Sequence, residues 1–507
     1  VAANLSRLET DGYRDHSDTR RDMANLRLGW DIDDASSLTL LFNALDQPDT
    51  QDPLGLTAAA LDADRQQAVA QAELFDTRKS IRHQQLGANY QRRLANDDEI
   101  TVMVYGGERD VQQFLGFPGD DSLNDQQQLI PGNGGVIELD RRFGGSELGW
   151  QRDTELFSLP VTLAAGLSWD YQGEGRKGFV NIPRQNPGKG AIKRDEFNRV
   201  ESREAYLIST WQLAPRWSLT AGARYSKVKF DSDDDYFTDG QDDSGAVRYD
   251  QTSPALGLSY QWTPEISLYG AIGQGFETPT AQELAYRPSG SGLNFDLQPS
   301  KADNAELGFK LRQDRTLVNV ALFYTETDNE IVTGAKQLNS GRTTYANAGK
   351  STRQGIELNI QQQLSNSLSG YLAYTWLDAR FDRYQSSTGD DLAGNRLPGV
   401  PRHSLYAELA WQPTDGFSTA LEMQSLSQRY ANDTNSADAP GYAAFNWRAS
   451  YRQQLGHWQL EPFARIDNLT DREYIGSLIV NGAGARYYEP APERNWLLGV
   501  AVQYRWQ

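Results

Sequence analysis

The side chains best suited to hold a ligand are arginines and tyrosines set close together in otherwise polar stretches. They are Tyr286 with Arg287, Arg342 with Tyr345, Arg429 with Tyr430, and Arg486 with Tyr487 and Tyr488. A guanidinium forks onto carboxylate-like oxygens and a phenol ring stacks on a flat solute, so these groups suit a planar, anionic or catecholate-like ligand. The alternative is that they pack loops. A second candidate is the acidic run Asp231–Asp243, DSDDDYFTDGQDD. Asp231, Asp233 and Asp235 alternate as in the first half of a calcium-binding EF-hand loop. Tyr236 stands where that loop needs glycine, and no glutamate closes it, so a solvated acidic loop is the default expectation.

Chemistry beyond binding finds little support. His16, His83, His403 and His457 are scattered, and there is no cysteine. The zinc-protease H-E-x-x-H, the G-x-S-x-G elbow and the phosphate-cradling glycine loop are all missing. The expectation is a protein that is not an enzyme and carries no metal or cofactor. A formal charge of −19 over 507 residues opposes nucleic-acid binding, which needs a basic footprint.

The elements that must position these residues are strands. The closing stretch RNWLLGVAVQYRWQ puts Trp496, Leu498, Val500, Val502, Tyr504 and Trp506 on one face, because strand side chains alternate. Trp217, Leu219, Ala221, Ala223 and Tyr225 repeat that scheme. Short connections fall at Ser158–Pro160, Ala214–Arg216, Thr263–Glu265, Gln313–Arg315, Ser365–Ser367, Gln412–Gly416 and Leu455–His457. Long ones fall at 46–77, 110–140, 172–199, 231–246, 276–300, 330–349, 384–401, 430–441 and 470–493. Trp30, Trp211, Trp217, Trp262, Trp411, Trp458 and Trp506 cluster beside short turns or the C-terminus, as interfacial belts require. No apolar run is long enough for a membrane helix. The pattern predicts an all-β, up-and-down antiparallel transmembrane barrel of about 20 strands, with one tight end and one elaborated end.

The stretch Tyr269–Phe309 narrows the reading. Gly273, Gly275, Phe276 and Pro279, then Leu297, Pro299, Glu306 and Gly308, resemble two consecutive motifs of the TonB-dependent outer-membrane receptors. Asn347 and Gly349, Gly355 and Glu357, and Pro398, Pro401 and His403 resemble later steps of that family. Asn468, Leu469 and Tyr474 resemble its N-L-x-[DN]-x-x-Y segment, and Trp506 its closing aromatic, although Gln507 follows. The matches run in order from Gly273 to the C-terminus.

The resemblance implies residues 1–507 as the barrel portion of a receptor in the bacterial outer membrane, with short periplasmic turns and long extracellular loops. Family barrels have about 22 strands and a plugged lumen, so the expectation is a fragment without the plug and first strands. It further implies TonB-driven import of a scarce bulky solute, most commonly a ferric siderophore. Cobalamin, haem and quinone cofactors are other cargoes of the family. The implied partners are outer-membrane lipid and lipopolysaccharide, a small-molecule metal chelate, and the TonB complex through the missing plug segment. A passive pore is the alternative from another class. Gly273, Gly275 and Pro279 read as architectural.

Overall fold

The computed structural model describes residues 1–504 except 121, 124–128, 131, 133, 184–187, 238–241, 286, 288–292, 337–342 and 387–388. Its main sheet is antiparallel throughout. It begins with β1 (Ala2–Thr10), β2 (Thr19–Asp33), β3 (Ser36–Gln51), β4 (Arg78–Arg93) and β5 (Glu99–Phe114). It continues through β6 (Val136–Leu156), β7 (Leu159–Asn181), β8 (Lys189–Ala214), β9 (Trp217–Asp234) and β10 (Gly245–Thr263). Next come β11 (Ile266–Glu277), β12 (Ser300–Gln313), β13 (Thr316–Lys336), β14 (Thr343–Gln363) and β15 (Leu368–Arg383). The last are β16 (His403–Trp411), β17 (Phe417–Leu426), β18 (Tyr442–Tyr451 with Gln453–Leu455), β19 (Trp458–Asp467) and β20 (Asn495–Tyr504). The two segments of β18 lie end to end along β19, so the 21 strands of the sheet make 20 staves.

Each stave pairs with its sequence neighbour, as the connection lengths predict. The short turns fall where expected. Two expected long loops, 172–199 and 330–349, are mostly paired strand instead: β7 runs to Asn181, β8 starts at Lys189, and β13 and β14 close around 337–342. Both faces become polar there, so the alternation that betrays a strand fades while the backbone ladder continues.

Register sorts the two faces. Leu307, Leu322, Ile356 and Trp376 are in-register neighbours across β12–β15. Leu307 is 65% exposed, which makes this row an outer surface rather than a core. The predicted apolar face of β20 lies on the same side, with Trp496 72% exposed and paired to Ile466. On β8 the outward apolar band runs from Trp211 to Arg203, the nine or so residues a tilted stave needs to cross a bilayer. Arg203, Lys227 and Asp250 then form an in-register charged limit.

The inner face carries a recurring device. Six aromatic rings stand directly opposite glycines on the neighbouring stave: Tyr105–Gly145, Phe143–Gly107, Tyr206–Gly166, Tyr269–Gly308, Phe323–Gly355 and Phe463–Gly499. A Cβ at Gly308 would sit 2.0 Å from the Tyr269 ring, at Gly499 2.3 Å from Phe463, and at Gly355 2.4 Å from Phe323. Each glycine is therefore a seat for a ring, which covers the bare backbone in return. Gly308 and Gly355, both of them motif residues, hold two of these seats.

Among the described residues no backbone pairing joins β1 to β20. The loops meet across this seam. Leu56, between β3 and β4, and Tyr488, between β19 and β20, exchange backbone hydrogen bonds of 2.8 and 3.0 Å. Arg65 donates to the Tyr474 carbonyl at 2.8 Å. Two short helices, α1 (Ala58–Ala63) and α2 (Ala70–Phe75), stiffen the β3–β4 loop. The buried Arg14 fastens its base by donating to the carbonyls of Pro53, Leu54 and Gln67.

Asn468, a motif residue, latches the loop before β20. It is 2% exposed with φ of +52°. Its Oδ1 accepts from the Arg472 N–H at 2.9 Å, and its Nδ2 donates to the carbonyls of Arg472 and Pro492 at 2.9 and 3.3 Å. Asn468→Ala should loosen this loop by about 1–2 kcal/mol, since it removes buried bonds and a residue tolerant of the left-handed region. Limited proteolysis should then cut within 470–493 earlier than in the parent. Unchanged cleavage times would refute the latch.

Candidate functional site

The interior divides into a charged wall and a loop-roofed vestibule. On the wall, Glu408 of β16 stands directly opposite Glu422 of β17. Like charges in register repel, and two arginines hold them. Arg448 donates from Nε to Glu422 at 2.8 Å and from Nη2 to Glu408 at 3.0 Å. Arg465 donates to the other Glu422 oxygen at 3.0 Å and to Asp467 at 2.8 Å. Tyr406 donates to Glu408 at 3.0 Å, and Asn359 to the Tyr371 hydroxyl at 2.6 Å. Glu306, from the motif, accepts from the Tyr269 hydroxyl.

The loops bring some of the expected ligand contacts together. Arg486 lines a cavity of about 870 Å³ with Phe75 and Gln71 of α2, Phe117, Pro118 and Asp120. Its Nε donates to the Ala483 carbonyl at 3.3 Å. Tyr487 and Tyr488 meet edge to face at 6.0 Å beside Ile475 and Leu61. Tyr488 is buried and its hydroxyl donates to the Asp438 carbonyl at 3.2 Å. Arg429 and Tyr430 pair with Ala439 and Asp438 in the same region. Arg429 is 6% exposed, donates to the Ile475 carbonyl at 2.7 Å, and leaves its Nε buried without a hydrogen-bond partner among the described residues. Burial pulls its guanidinium below the ordinary arginine value. Tyr474 stacks on Tyr442 at 4.1 Å beside it.

Arg287 and Tyr345 belong to a separate cluster. Arg287 Nε donates to the Leu293 carbonyl at 2.7 Å, and Tyr345 packs against Phe230, Tyr249, Leu284, Leu293 and Leu297. Pro279 is fully buried and Phe276 packs on this cluster, so these motif residues anchor a loop. Asn347 stitches it down, donating to the Gln298 and Asn329 carbonyls at 2.8 and 2.9 Å. Gly273 and Gly275 lie within β11 and Pro299 immediately before β12. Leu469 follows Asn468 with its N–H on the Phe445 carbonyl at 2.7 Å. Tyr286, Arg342 and Trp506 lie outside the described residues.

Among its described residues the acidic run does not converge on a point. Arg199 donates to Asp231 at 3.1 Å and to Asp233 at 2.7 Å, and Lys229 donates to Asp231 at 2.9 Å. Asp234 accepts the backbone N–H groups of Tyr236 and Asp243 at 2.9 and 3.0 Å. These carboxylates are spent on cations and turns.

One set of residues was not legible beforehand. His83, Arg109, Arg141, Glu174, Asn198 and Ser232 form one in-register, inward-facing row across β4–β9. They come from six staves, so no spacing in the sequence signals them.

Comparison with known proteins decides the family. The model described as "TonB dependent receptor-like, beta-barrel" matches residues 3–469. The chain belongs to the TonB-dependent receptor family. It is 23% identical over 345 residues to the probable TonB-dependent siderophore receptor PiuA of Acinetobacter baumannii, covering 64% of this chain and 44% of that protein. It is 24% identical over 308 residues to the pesticin receptor of Yersinia pestis, covering 57% and 42%. The chain thus spans less than half the length of these curated relatives. Among solved structures, the unliganded ferric citrate transporter FecA superposes with a TM-score of 0.81 at 17% identity, covering 99% of this chain and 73% of that one. The siderophore receptor PiuA from Acinetobacter baumannii gives 0.77 at 17% identity, covering 99% and 76%. The receptor-family fold is therefore shared over nearly the whole chain, and its members are transporters and receptors rather than enzymes.

Proposed function

We propose that this TonB-dependent receptor barrel is the wall of an outer-membrane importer that takes up a bulky metal chelate, a ferric siderophore first among its cargoes. The observation that carries this reading is the family match together with the names of the relatives. They include a siderophore receptor, a metal–pseudopaline receptor, a ferric enterobactin receptor and a ferrioxamine receptor. In this reading the apolar band spans the outer membrane many times, short turns face the periplasm and the loops face outward among lipopolysaccharide. A plug fills the lumen and hands TonB's pull to the bound ligand. The vestibule arginines and tyrosines, Arg486 and Tyr487 foremost, make the first contact.

The test is growth of a deletion strain, with redundant receptors removed, on a panel of ferric siderophores as sole iron source. Loss of growth on at least one, restored by the gene only when TonB is present, is the expected outcome. Normal growth on every source would defeat the iron reading and turn attention to cobalamin, haem or quinone cargoes. A passive pore is the competing reading, supported by the polar inner wall. It predicts large steady currents when the whole protein is placed in a planar bilayer, whereas a plugged importer stays silent.

A further inference from the structure

We propose that Arg380, Arg396 and Arg402 form a seat on the outer face of the wall for a phosphorylated lipid, which braces the vestibule from outside. Asp378 and Arg380 of β15 follow Trp376 on the outward side. Beyond β15 the chain folds back beside it, so that Arg380 and Arg396 stand directly opposite each other in an antiparallel bridge. Two guanidiniums in register repel unless they share an anion. Asp378 is that anion: Arg380 Nε donates to its Oδ2 at 3.0 Å, and Arg396 Nη2 lies 3.4 Å from Oδ1. Arg402 is exposed, stands 5.9 Å from the centre of the Trp376 ring and acts on the same carboxylate.

Three cations thus share one carboxylate, and among the described residues neither Arg396 nor Arg402 makes a side-chain hydrogen bond. The outer side of β8 and β9 is different, because its cations have acids of their own. Arg203 meets Glu201 at 2.6 Å, Arg199 meets Asp233 at 2.7 Å and Lys229 meets Asp231 at 2.9 Å. A surplus of guanidiniums calls for an anion with several oxygens, and phosphate suits their fork.

Position names the carrier of that phosphate. Trp376 pairs with His403, whose Nδ1 shares a hydrogen bond of 2.9 Å with the Tyr374 hydroxyl. Rings of this kind collect at headgroup level. Below them Ile360, Leu372 and Ala407 continue the apolar outer face. Two staves away, roughly 10 Å at the usual strand spacing, Gly270 opens an outward furrow of about 440 Å³ between Leu258, Ile272, Leu307 and Leu322. The upper end of that furrow carries Asp303 and Glu326, so it suits an acyl chain while the phosphate goes to the arginines. The partner is therefore an acylated, phosphorylated lipid of the outer leaflet rather than a free anion.

Arg396 also reaches the vestibule. Its backbone N–H donates to Asn435 Oδ1 at 2.8 Å, and its carbonyl accepts from Asn435 Nδ2 at 2.9 Å. Asn395 donates to the Asp433 carbonyl at 2.9 Å, and the Gly399 N–H to the Tyr430 carbonyl at 2.8 Å. Whatever fixes the Arg396 guanidinium outside also steadies the loop that carries Arg429 and Tyr430. The inference rests on the outer-membrane part of the import reading and not on its cargo.

The experiment measures binding to the whole receptor in detergent of bis-phosphorylated lipid A, lipid A stripped of both phosphates, and inorganic phosphate. Arg396→Gln and Arg402→Gln are compared with Arg402→Lys and with Arg203→Gln, and circular dichroism checks that all remain folded. Each glutamine variant of the seat should weaken lipid A by about tenfold, as loss of a charge-assisted bond does. Both should leave the stripped lipid unchanged. Arg402→Lys should keep most of the affinity, and Arg203→Gln should keep all of it. Lipid A should also slow amide exchange at 430–435 in the parent and not in Arg396→Gln. Equal binding of the two lipids, equal losses in Arg203→Gln, or inorganic phosphate bound as tightly as lipid A would overturn the seat. Lipid A bound with exchange at 430–435 unmoved would overturn the brace. No arm uses cargo, so failure here leaves the import reading standing, and failed growth on every iron source leaves the seat standing.

Discussion

Gly308→Val is expected to cost the barrel about 3 kcal/mol, read as a lower urea midpoint in micelles and as lost resistance to unfolding in SDS. The cause is geometric. A Cβ there would lie 2.0 Å from the Tyr269 ring and 2.5 Å from its hydroxyl, so the ring must leave its seat. Leaving also breaks the Tyr269–Glu306 hydrogen bond, which strands a carboxylate on the inner wall. A flexible side chain could swing aside cheaply, but a ring with two torsions on a strand cannot. Removing the ring as well, in Gly308→Val with Tyr269→Ala, should restore more than half of the loss. If the double variant is no better than the single one, the ring is not what valine meets and this account of the glycine fails.

Glu422→Ala should destabilise by about 2 kcal/mol. Loss of one partner from a buried charge cluster costs about 3–5 kcal/mol, and the figure is lowered here because the guanidiniums are partly solvated. Glu422 is 7% exposed, while its partners Arg448 and Arg465 have side chains 43% and 32% exposed. Without the carboxylate, two arginines face each other in register across β18 and β19 with only Glu408 and Asp467 left to them. The deficit should shrink as salt is raised, because screening weakens repulsion between the freed cations. Glu422→Gln, which keeps the shape and some hydrogen bonds, should lose roughly half as much. A deficit that grows with salt would show that the pair is not held by charge.

These expectations separate what the chain announces from what only the fold reveals. The staves were legible because one face of each meets hydrocarbon: Leu405, Leu409 and Trp411 alternate with polar residues in a way no soluble loop needs. The short turns were legible because strand pattern resumes within a few residues on either side. The upper parts of β7, β8, β13 and β14 were not, since beyond the apolar band both faces are polar and a paired strand reads as a loop. Tyr345 was placed in a loop for that reason and belongs to β14. Gly308 and Gly355 could be recognised as motif glycines, but the rings they seat, Tyr269 and Phe323, lie on other staves. Arg429 read as an exposed contact because it sits among polar residues, and it is buried beside the Tyr442 ring, on which Tyr474 stacks from another loop. The Arg109 row is the extreme case, with His83 and Ser232 at its ends and four staves between them.

The six ring-on-glycine seats bear on mechanics. A stave can slide along its neighbour only in two-residue steps if its faces are to be kept, and each such step would drive a ring against a side chain or leave its glycine bare. The five stave pairs that carry a seat, β5–β6, β7–β8, β11–β12, β13–β14 and β19–β20, are therefore stiff in shear. Force applied from inside the lumen should therefore pass between neighbouring staves at these pairs as one rigid strip, while the staves between seated pairs are held by the backbone ladder alone.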